Sequence, residues 1–279
     1  MKVLGKPVAA SVGVFLIGFA IITVVLISTA AKIKPALTRW LADSSQQYSS
    51  KVANTATIPV PRLEMDSYDW YQRHQDVLVA QKQFEPRIVL IGDSITHFWG
   101  GLPRAQISNG ARAWENAFGG VPVLNLGFGW DRTQNVLWRL SHGEFEGLHP
   151  RTVVINIGTN NLTGTENART NTPEEIVQGI LAIHKKIRVT SPASRIIVMG
   201  IFPRSSDPAS PAREAIVSVN RLLSEALANE PNTIFLDIGD RFLAPDGTLL
   251  PNVMSDGTHP TEEGYTIWAK ALIEAGVRN

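Results

Sequence analysis

The stretch Ile88-Val89-Leu90-Ile91-Gly92-Asp93-Ser94 places a short apolar run directly before a polar turn, and this arrangement recurs along the chain. Further apolar runs lie at residues 121–126, 153–157, 196–200 and 234–238. These runs are short, rich in β-branched residues and continuous rather than alternating, as expected of strands buried on both faces of a parallel sheet. The sequence therefore predicts five parallel strands.

Helical patterns separate the predicted strands. Thr172-Pro173-Glu174-Glu175 forms a capping box with proline at the first helical position, and Ser210-Pro211 indicates another helix start. Strands alternating with helices predict an α/β fold, a three-layer α/β/α sandwich around a five-stranded parallel sheet. In such folds ligands bind beyond the carboxyl ends of the strands.

The N-terminal region has a different composition. Residues 8–31 form a run of 24 residues without a charge, with lysines on both sides. About 20 apolar residues suffice to span a bilayer as a helix. We therefore expect residues 1–31 to be an uncleaved signal-anchor with a transmembrane helix, which exports the catalytic domain to the periplasm or the cell exterior. A cleaved signal with Ser28-Thr29-Ala30 at its cleavage site is the alternative, and it would give a secreted protein.

Two further segments complete the predicted organisation. Residues 32–65 are expected to be a flexible linker, because residues 44–50 are rich in Ser and Gln and Pro59-Val60-Pro61 is stiff and extended. The globular domain is expected to span 66–279, which is long enough for one hydrophobic core.

The composition excludes several classes of site. The chain has no cysteine, so disulfides, thiolate metal sites and a cysteine nucleophile are excluded. The six histidines show no metal-ligand spacing, and neither a metal nor another cofactor is expected. A net charge of +1, with no basic block after residue 39, argues against nucleic acid as a partner. Gly-x-Ser-x-Gly and Walker motifs are absent from the sequence, and Gly127-Phe128-Gly129 is an incomplete dinucleotide fingerprint.

Three polar segments follow predicted strands and should converge at one edge of the sheet. They are Gly92-Asp93-Ser94, Gly158-Thr159-Asn160-Asn161 and Asp256-Gly257-Thr258-His259. Serine, histidine, aspartate and an amide are the nucleophile, base, orienting group and oxyanion donor of acyl transfer. Taken alone, Asp256-Gly257 is better explained as a turn. Together with Ser94 and Asn160, it favours a catalytic site.

Several of these motifs resemble a known family. The stretch 125–140, together with Ile155–Asn161 and Ile201–Arg204, resembles the GDSL esterases and lipases, also called SGNH hydrolases. Within that family it is similar to the catalytic subunits of platelet-activating-factor acetylhydrolase and their bacterial relatives. The similarity runs from about Trp70 to the C-terminus and implies the flavodoxin-like fold of that family.

The resemblance implies a role for each candidate residue. Ser94 would be the nucleophile, His259 the base and Asp256 its partner. The oxyanion hole would consist of the backbone N–H groups of Ser94 and Trp130 and the side chain of Asn160. The relatives carry glycine where this chain has Trp130, so we expect the indole to crowd or line the acyl pocket.

The leading hypothesis is a serine esterase that hydrolyses short-chain acyl esters, acetyl esters above all, of a lipid or a carbohydrate. An acyltransferase using the same residues, an inactive binding module of the same fold and a flavodoxin-like nucleotide binder remain as alternatives. The sequence does not indicate an oligomeric state. A place in the core is favoured over a place in a substrate groove for four aromatic residues: Phe98, Trp99, Trp114 and Trp138.

Overall fold

The computed structural model describes residues 53–279. The predicted membrane segment at 8–31 lies outside this range, and so do residues 32–52 of the predicted linker. Within the described range, no helix combines the length and the apolar character needed to cross a membrane.

Five parallel strands alternate with seven helices in the described part of the chain. The strands are β1 Ile88–Gly92, β2 Val123–Gly127, β3 Thr152–Asn156, β4 Arg195–Met199 and β5 Thr233–Leu236. The helices are α1 Trp70–Gln83, α2 Ser94–His97, α3 Ala111–Phe118, α4 Thr133–Ser141, α5 Pro173–Thr190, α6 Pro211–Leu227 and α7 Glu262–Glu274. The predicted strands are confirmed, and their ends move by two residues at most.

The strands form one sheet in the order β2-β1-β3-β4-β5, and all neighbouring pairs are parallel. Successive residues of a strand point to opposite faces. Val89 and Ile91 therefore pack in one core with residues of α1, α4, α5 and α6, whereas Ile88 and Leu90 pack in a second core with residues of α3 and α7. Helices thus cover both faces, which confirms the predicted three-layer sandwich.

The capping box predicted at the start of α5 is confirmed. The Thr172 hydroxyl accepts a hydrogen bond from the Glu175 N–H at 3.3 Å, and the Glu175 carboxylate accepts one from the Thr172 N–H at 3.1 Å. The apolar face behind this cap is buried against the sheet and comprises Ile176, Ile180, Ile183 and Ile187.

The compact unit begins earlier than the predicted start at Asp66. It extends from Asn54 to Asn279, and Thr55–Thr57 form a 3₁₀ turn. Thr133 donates to the Ala56 carbonyl at 2.8 Å, and Asn135 donates to the Pro61 carbonyl at 2.7 Å. These side-chain bonds from α4 hold part of the predicted linker against the domain.

The strand order places the functional crevice. β1 lies between β2 and β3, so the chain leaves β1 towards one side of the sheet and later returns on the other. Ligands bind at such a switch point, beyond the carboxyl ends of the strands. Ser94 follows β1 and Asn160 follows β3, so both candidate residues lie at this crevice.

A close backbone approach fixes the turn that carries Ser94. A Cβ atom on Gly127, at the end of β2, would lie 2.3 Å from the backbone nitrogen of His97 and 2.7 Å from the carbonyl carbon of Thr96. Both atoms belong to the backbone of α2, which cannot yield as a side chain could. Glycine at residue 127 is therefore required for α2 to pack on the sheet.

We expect Gly127→Ala to lower the free energy of unfolding by about 3 kcal/mol, because overpacking against backbone cannot be relieved locally. Gly120→Ala is the matched control. Gly120 lies three residues before β2, has φ +73° and has no atom within 4 Å of an added Cβ, so its substitution should cost only about 1 kcal/mol. Urea unfolding measures both values, and equal losses would contradict the close approach of α2.

Candidate active site

Ser94 lies at the sharp junction between β1 and α2. Asp93 caps this short helix, because its Oδ1 accepts a hydrogen bond from the Ile95 N–H at 3.0 Å. The N–H of Ser94 lies in the first turn, where no earlier carbonyl of the helix can accept it. Ser94 is buried, with 7% of its surface exposed. The junction therefore presents a hydroxyl and a backbone donor to the same crevice.

Ser94, His259 and Asp256 form a continuous hydrogen-bonded chain. His259 Nε2 lies 2.8 Å from Ser94 Oγ, and His259 Nδ1 lies 2.7 Å from Asp256 Oδ2. Asp256 Oδ1 also accepts the backbone N–H groups of Thr258 and His259, at 3.0 and 2.8 Å. The turn suggested by Asp256-Gly257 is thus present, and it also orients the imidazole.

The charge state of Asp256 fixes the tautomer of His259. Partial burial raises the pKa of Asp256, but hydrogen bonds from the His259 backbone and ring outweigh it and hold this pKa below its ordinary value. An ionised carboxylate can only accept hydrogen bonds, so His259 Nδ1 carries the ring proton. Nε2 is then an acceptor for the Ser94 hydroxyl, which is the arrangement required of a general base.

Asn160 supplies a side-chain donor to the crevice. It lies in the 3₁₀ turn Thr159–Leu162 after β3 and is 7% exposed. Its Nδ2 donates one hydrogen to the Asp131 carbonyl at 3.0 Å. An amide nitrogen carries two hydrogens, so the second remains for a ligand.

Trp130 occupies the loop after β2 in a left-handed conformation, with φ +61°. This conformation is favourable for glycine and costs other L-residues roughly 1–2 kcal/mol. The glycine that the family resemblance implies at this position would suit this backbone geometry, which this chain adopts with a tryptophan. Within residues 53–279 the Trp130 N–H has no hydrogen-bond acceptor, and it remains available to a ligand.

A buried charge network holds this loop. The Asp131 carboxylate accepts hydrogen bonds from the Trp70 indole N–H and from Arg139 Nε, both at 2.8 Å. Arg139 also pairs with Glu144, and Glu144 in turn contacts His74 Nδ1 at 2.7 Å. Burial raises the pKa of Asp131 to about 6, against the attraction of Arg139. Asp131 therefore anchors the loop through its side chain, and it holds Asn160 through its backbone carbonyl.

The crevice opens as a cleft of about 330 Å³, lined by the predicted site residues Ser94, Trp130, Asn160, Asp256 and His259. Sequence reasoning missed three further lining residues of unlike chemistry, Asp66, Thr163 and Arg204, and it favoured the core for a fourth, Phe98. Arg204 follows β4, so the strand-end rule could have identified it. Asp66 has no sequence signal, because it comes from the segment before α1.

The aromatic residues divide between core and cleft. Trp99 is fully buried between α3 and α7, and Trp114 and Trp138 pack partly buried against the two cores, as predicted. Phe98 is the exception, since it lines the cleft with its ring 5.4 Å from that of His259. It follows Ser94 by one helical turn, so it lies beside the serine rather than beneath the sheet.

A nucleotide or metal site finds little support among residues 53–279. The helix after β1 has four residues, and the Asp93 side chain already accepts the Ile95 N–H at its N-terminus, where a phosphate would need that donor. No group of three or more acidic or histidine side chains in the described region could hold a metal ion.

Asp93 generates a pH-dependent stability. Burial raises its pKa from 3.8 to about 7, and its Oδ2 has no hydrogen-bond partner in the described structure. Between pH 4 and 7 the folded chain holds a proton that the unfolded chain has released, so the free energy of unfolding falls as pH rises. A displacement from 3.8 to 7 corresponds to at most about 4 kcal/mol.

We expect Asp93→Asn to flatten this decline, because asparagine keeps an acceptor for Ile95 but does not ionise. Urea unfolding between pH 4 and pH 8 should show the steeper fall in the unmodified chain. Parallel profiles for the two proteins would contradict the assignment of the proton to Asp93.

The chain was compared with known proteins. The model of the GDSL-like Lipase/Acylhydrolase family matches residues 90–267. The α1 subunit of platelet-activating factor acetylhydrolase IB from Rattus norvegicus is 35% identical over 225 residues, which cover 80% of this chain and 90% of the rat protein. The α2 subunit from the same organism is 34% identical over 223 residues, with the same coverage.

Solved structures show the same fold at lower sequence identity. A GDSL-like lipase from Bacteroides thetaiotaomicron has a TM-score of 0.58 at 23% identity, and the match covers 75% of this chain and 97% of that chain. An acetylxylan esterase from Geobacillus stearothermophilus has a TM-score of 0.53 at 19% identity, and the match covers 68% of this chain and 94% of that chain. With the matched family model and the acetylhydrolase relatives, the chain belongs to the GDSL-like lipase/acylhydrolase family of carboxylic ester hydrolases.

Proposed function

We infer that this protein is a serine esterase that removes short acyl groups, acetyl above all, from a small-molecule ester through an acyl-enzyme. The observation that carries this inference is the unbroken chain from Ser94 Oγ through the His259 ring to Asp256, with contacts of 2.8 and 2.7 Å. A binding module would have no need of a base held in this tautomer beside a hydroxyl.

In the first step, Ser94 Oγ attacks the ester carbonyl carbon and its proton passes to His259 Nε2. The Asp256 carboxylate stabilises the resulting imidazolium. The negative charge on the former carbonyl oxygen is met by the Ser94 N–H, the Trp130 N–H and the free Asn160 amide hydrogen. Collapse of this intermediate breaks the bond to the alcohol oxygen, which takes the proton from His259.

The second step reverses the roles of the same groups. Water enters the place of the released alcohol and gives its proton to His259 Nε2 as its oxygen attacks the acyl carbon. The acyl-serine bond then breaks, the proton returns to Ser94 Oγ, and a carboxylic acid leaves.

A short acyl group is supported by the dimensions of the cleft and by the relatives. A volume of about 330 Å³ is at the small end of the range for ligand sites. The two mammalian relatives are acetylhydrolases, and the Geobacillus structure is an acetylxylan esterase. An ester of a lipid or of a carbohydrate is compatible with both kinds of relative.

Export of the catalytic domain is part of the proposal. It rests on the uncharged run at residues 8–31, which is long enough for a membrane-spanning anchor. N-terminal sequencing of the mature protein distinguishes the anchor from a cleaved signal, since cleavage after Ala30 would remove the run.

Two substitutions test the proposed roles by the size of their effects. Ser94→Ala should reduce hydrolysis of p-nitrophenyl acetate to background, because it removes the atom that forms the acyl-enzyme. Asn160→Ala should retain the nucleophile and lose about 10²–10³ in kcat, as is typical of the loss of one oxyanion donor. Steady-state kinetics measure both effects.

Circular dichroism and thermal unfolding establish that each variant is folded. Asn167→Ala provides a matched control, because the side chain of this exposed asparagine donates to Glu64 Oε2 at 2.9 Å and does not line the cleft. Full activity of Ser94→Ala would overturn the proposed function. If Asn160→Ala and the control change kcat equally, the role of Asn160 is overturned, whereas the role of Ser94 is not affected.

A further inference from the structure

Trp130 presents a large apolar side chain where nothing in the fold requires one. Its surface is 42% exposed although it lines the cleft, and its indole contacts no other aromatic ring among the described residues. The backbone there is left-handed, so a tryptophan costs roughly 1–2 kcal/mol relative to glycine. A strained residue at a functional site, with its side chain held out to solvent, indicates a role in binding.

Two charged side chains with unused hydrogen-bonding capacity line the same cleft. Asp66 Oδ1 accepts bonds from Ser67, but Asp66 Oδ2 accepts none within the described part of the chain. Arg204 donates to the Thr159 carbonyl at 3.1 Å and to the Thr163 hydroxyl at 3.0 Å, which holds the guanidinium in place. All of its hydrogen bonds within residues 53–279 come from Nη1 and Nη2, so the Nε–H is left for a ligand. The cleft thus offers one acceptor and one donor besides the reacting groups.

We propose that Trp130, Asp66 and Arg204 form the subsite for the alcohol part of the ester, and that this alcohol is a sugar. The inference rests on the proposed esterase function. The indole face packs against the C–H groups of a pyranose ring, Asp66 accepts a hydrogen bond from one of its hydroxyls, and Arg204 donates to another. The substrate is then an O-acetylated saccharide.

The exposure of the lining residues places the alcohol rather than the acyl group beside Trp130. Ser94 and Asn160 are each 7% exposed, so the ester carbonyl is held at the buried end of the cleft. Trp130 is several times more exposed and lies where the cleft meets solvent. A short acyl group is small enough to stay inside, whereas a larger alcohol must leave past the indole.

The chemistry of the cleft favours a sugar over a lipid headgroup. Quaternary ammonium groups are recognised by cages of several aromatic rings, whereas the Phe98 ring packs near His259 and the Trp130 indole contacts no other aromatic ring of the described residues. A long alkyl chain would need a continuous apolar groove, but most of the side chains that line this cleft beside Trp130 and Phe98 are charged or polar. One flat apolar face with hydrogen-bonding groups beside it is the arrangement that fits a pyranose.

A matched pair of substitutions tests this subsite. Trp130→Leu and Trp130→Phe both keep a backbone N–H and a bulky apolar side chain at φ +61°, but phenylalanine alone keeps a ring face. We expect Trp130→Leu to raise the KM for acetylated xylobiose about tenfold more than the KM for p-nitrophenyl acetate. Trp130→Phe should restore most of the difference.

Equal effects of Trp130→Leu on the two substrates would overturn the sugar subsite, since the side chain would then act through the oxyanion loop alone. It would also be overturned if a 1-alkyl-2-acetyl phosphocholine lipid, and not the sugar ester, showed the dependence on the ring. Asp66→Asn provides a third readout, since it should raise the KM for the sugar ester and leave the KM for p-nitrophenyl acetate unchanged.

Binding by the full chain carrying Ser94→Ala separates this proposal from the esterase itself. Calorimetric titration with acetylated xylobiose should show binding that Trp130→Leu weakens about tenfold. Sugar binding without turnover of any ester by the unmodified chain would contradict the esterase and retain the subsite. Turnover of p-nitrophenyl acetate without sugar binding would contradict the subsite and retain the esterase.

Discussion

The geometry of the site depends on one buried carboxylate, that of Asp131. The two carboxylate oxygens accept hydrogen bonds from Trp70 and Arg139. The backbone carbonyl of Asp131 accepts one from the Asn160 side chain at 3.0 Å. Removing one member of such a buried pair leaves an uncompensated charge, which typically costs about 3–5 kcal/mol. Asp131 therefore links the stability of the core beneath α4 to the position of two oxyanion donors, Asn160 and the adjoining Trp130 N–H.

The remaining groups are positioned by the parallel sheet. Every strand ends at the same edge, so turns that are far apart in sequence meet there. The close approach of Gly127 to α2 fixes the height of Ser94 above this edge. The turn formed by Asp256 and its two backbone donors then sets the imidazole at hydrogen-bonding distance. Catalytic geometry here follows from backbone constraints, and the side chains complete it.

The sequence was sufficient to predict the elements and the edge of the sheet at which Ser94, Asn160 and His259 meet, because both have local signals. Continuous β-branched runs identify buried parallel strands, and polar residues directly after them identify the functional edge. The sequence was insufficient where a contact joins distant segments without a pattern. Asp66 enters the cleft from the segment before α1, at the predicted start of the domain, where no motif marks it. The bond from Asn160 to the Asp131 carbonyl involves backbone that any residue would supply. Phe98 was expected in the core, but the single turn of α2 points it beside the serine.

In the proposed mechanism Ser94 carries the acyl group during turnover. Rapid acid quenching of the enzyme during hydrolysis of p-nitrophenyl acetate, followed by peptide mass spectrometry, detects such an intermediate. We expect the mass of one acetyl group on the peptide that contains Ser94, and a larger fraction of this acetylated peptide in an Asp256→Asn variant whose deacylation is limiting. An acetyl group on another residue, or ester hydrolysis with no acetylated peptide under conditions that slow deacylation, would contradict it.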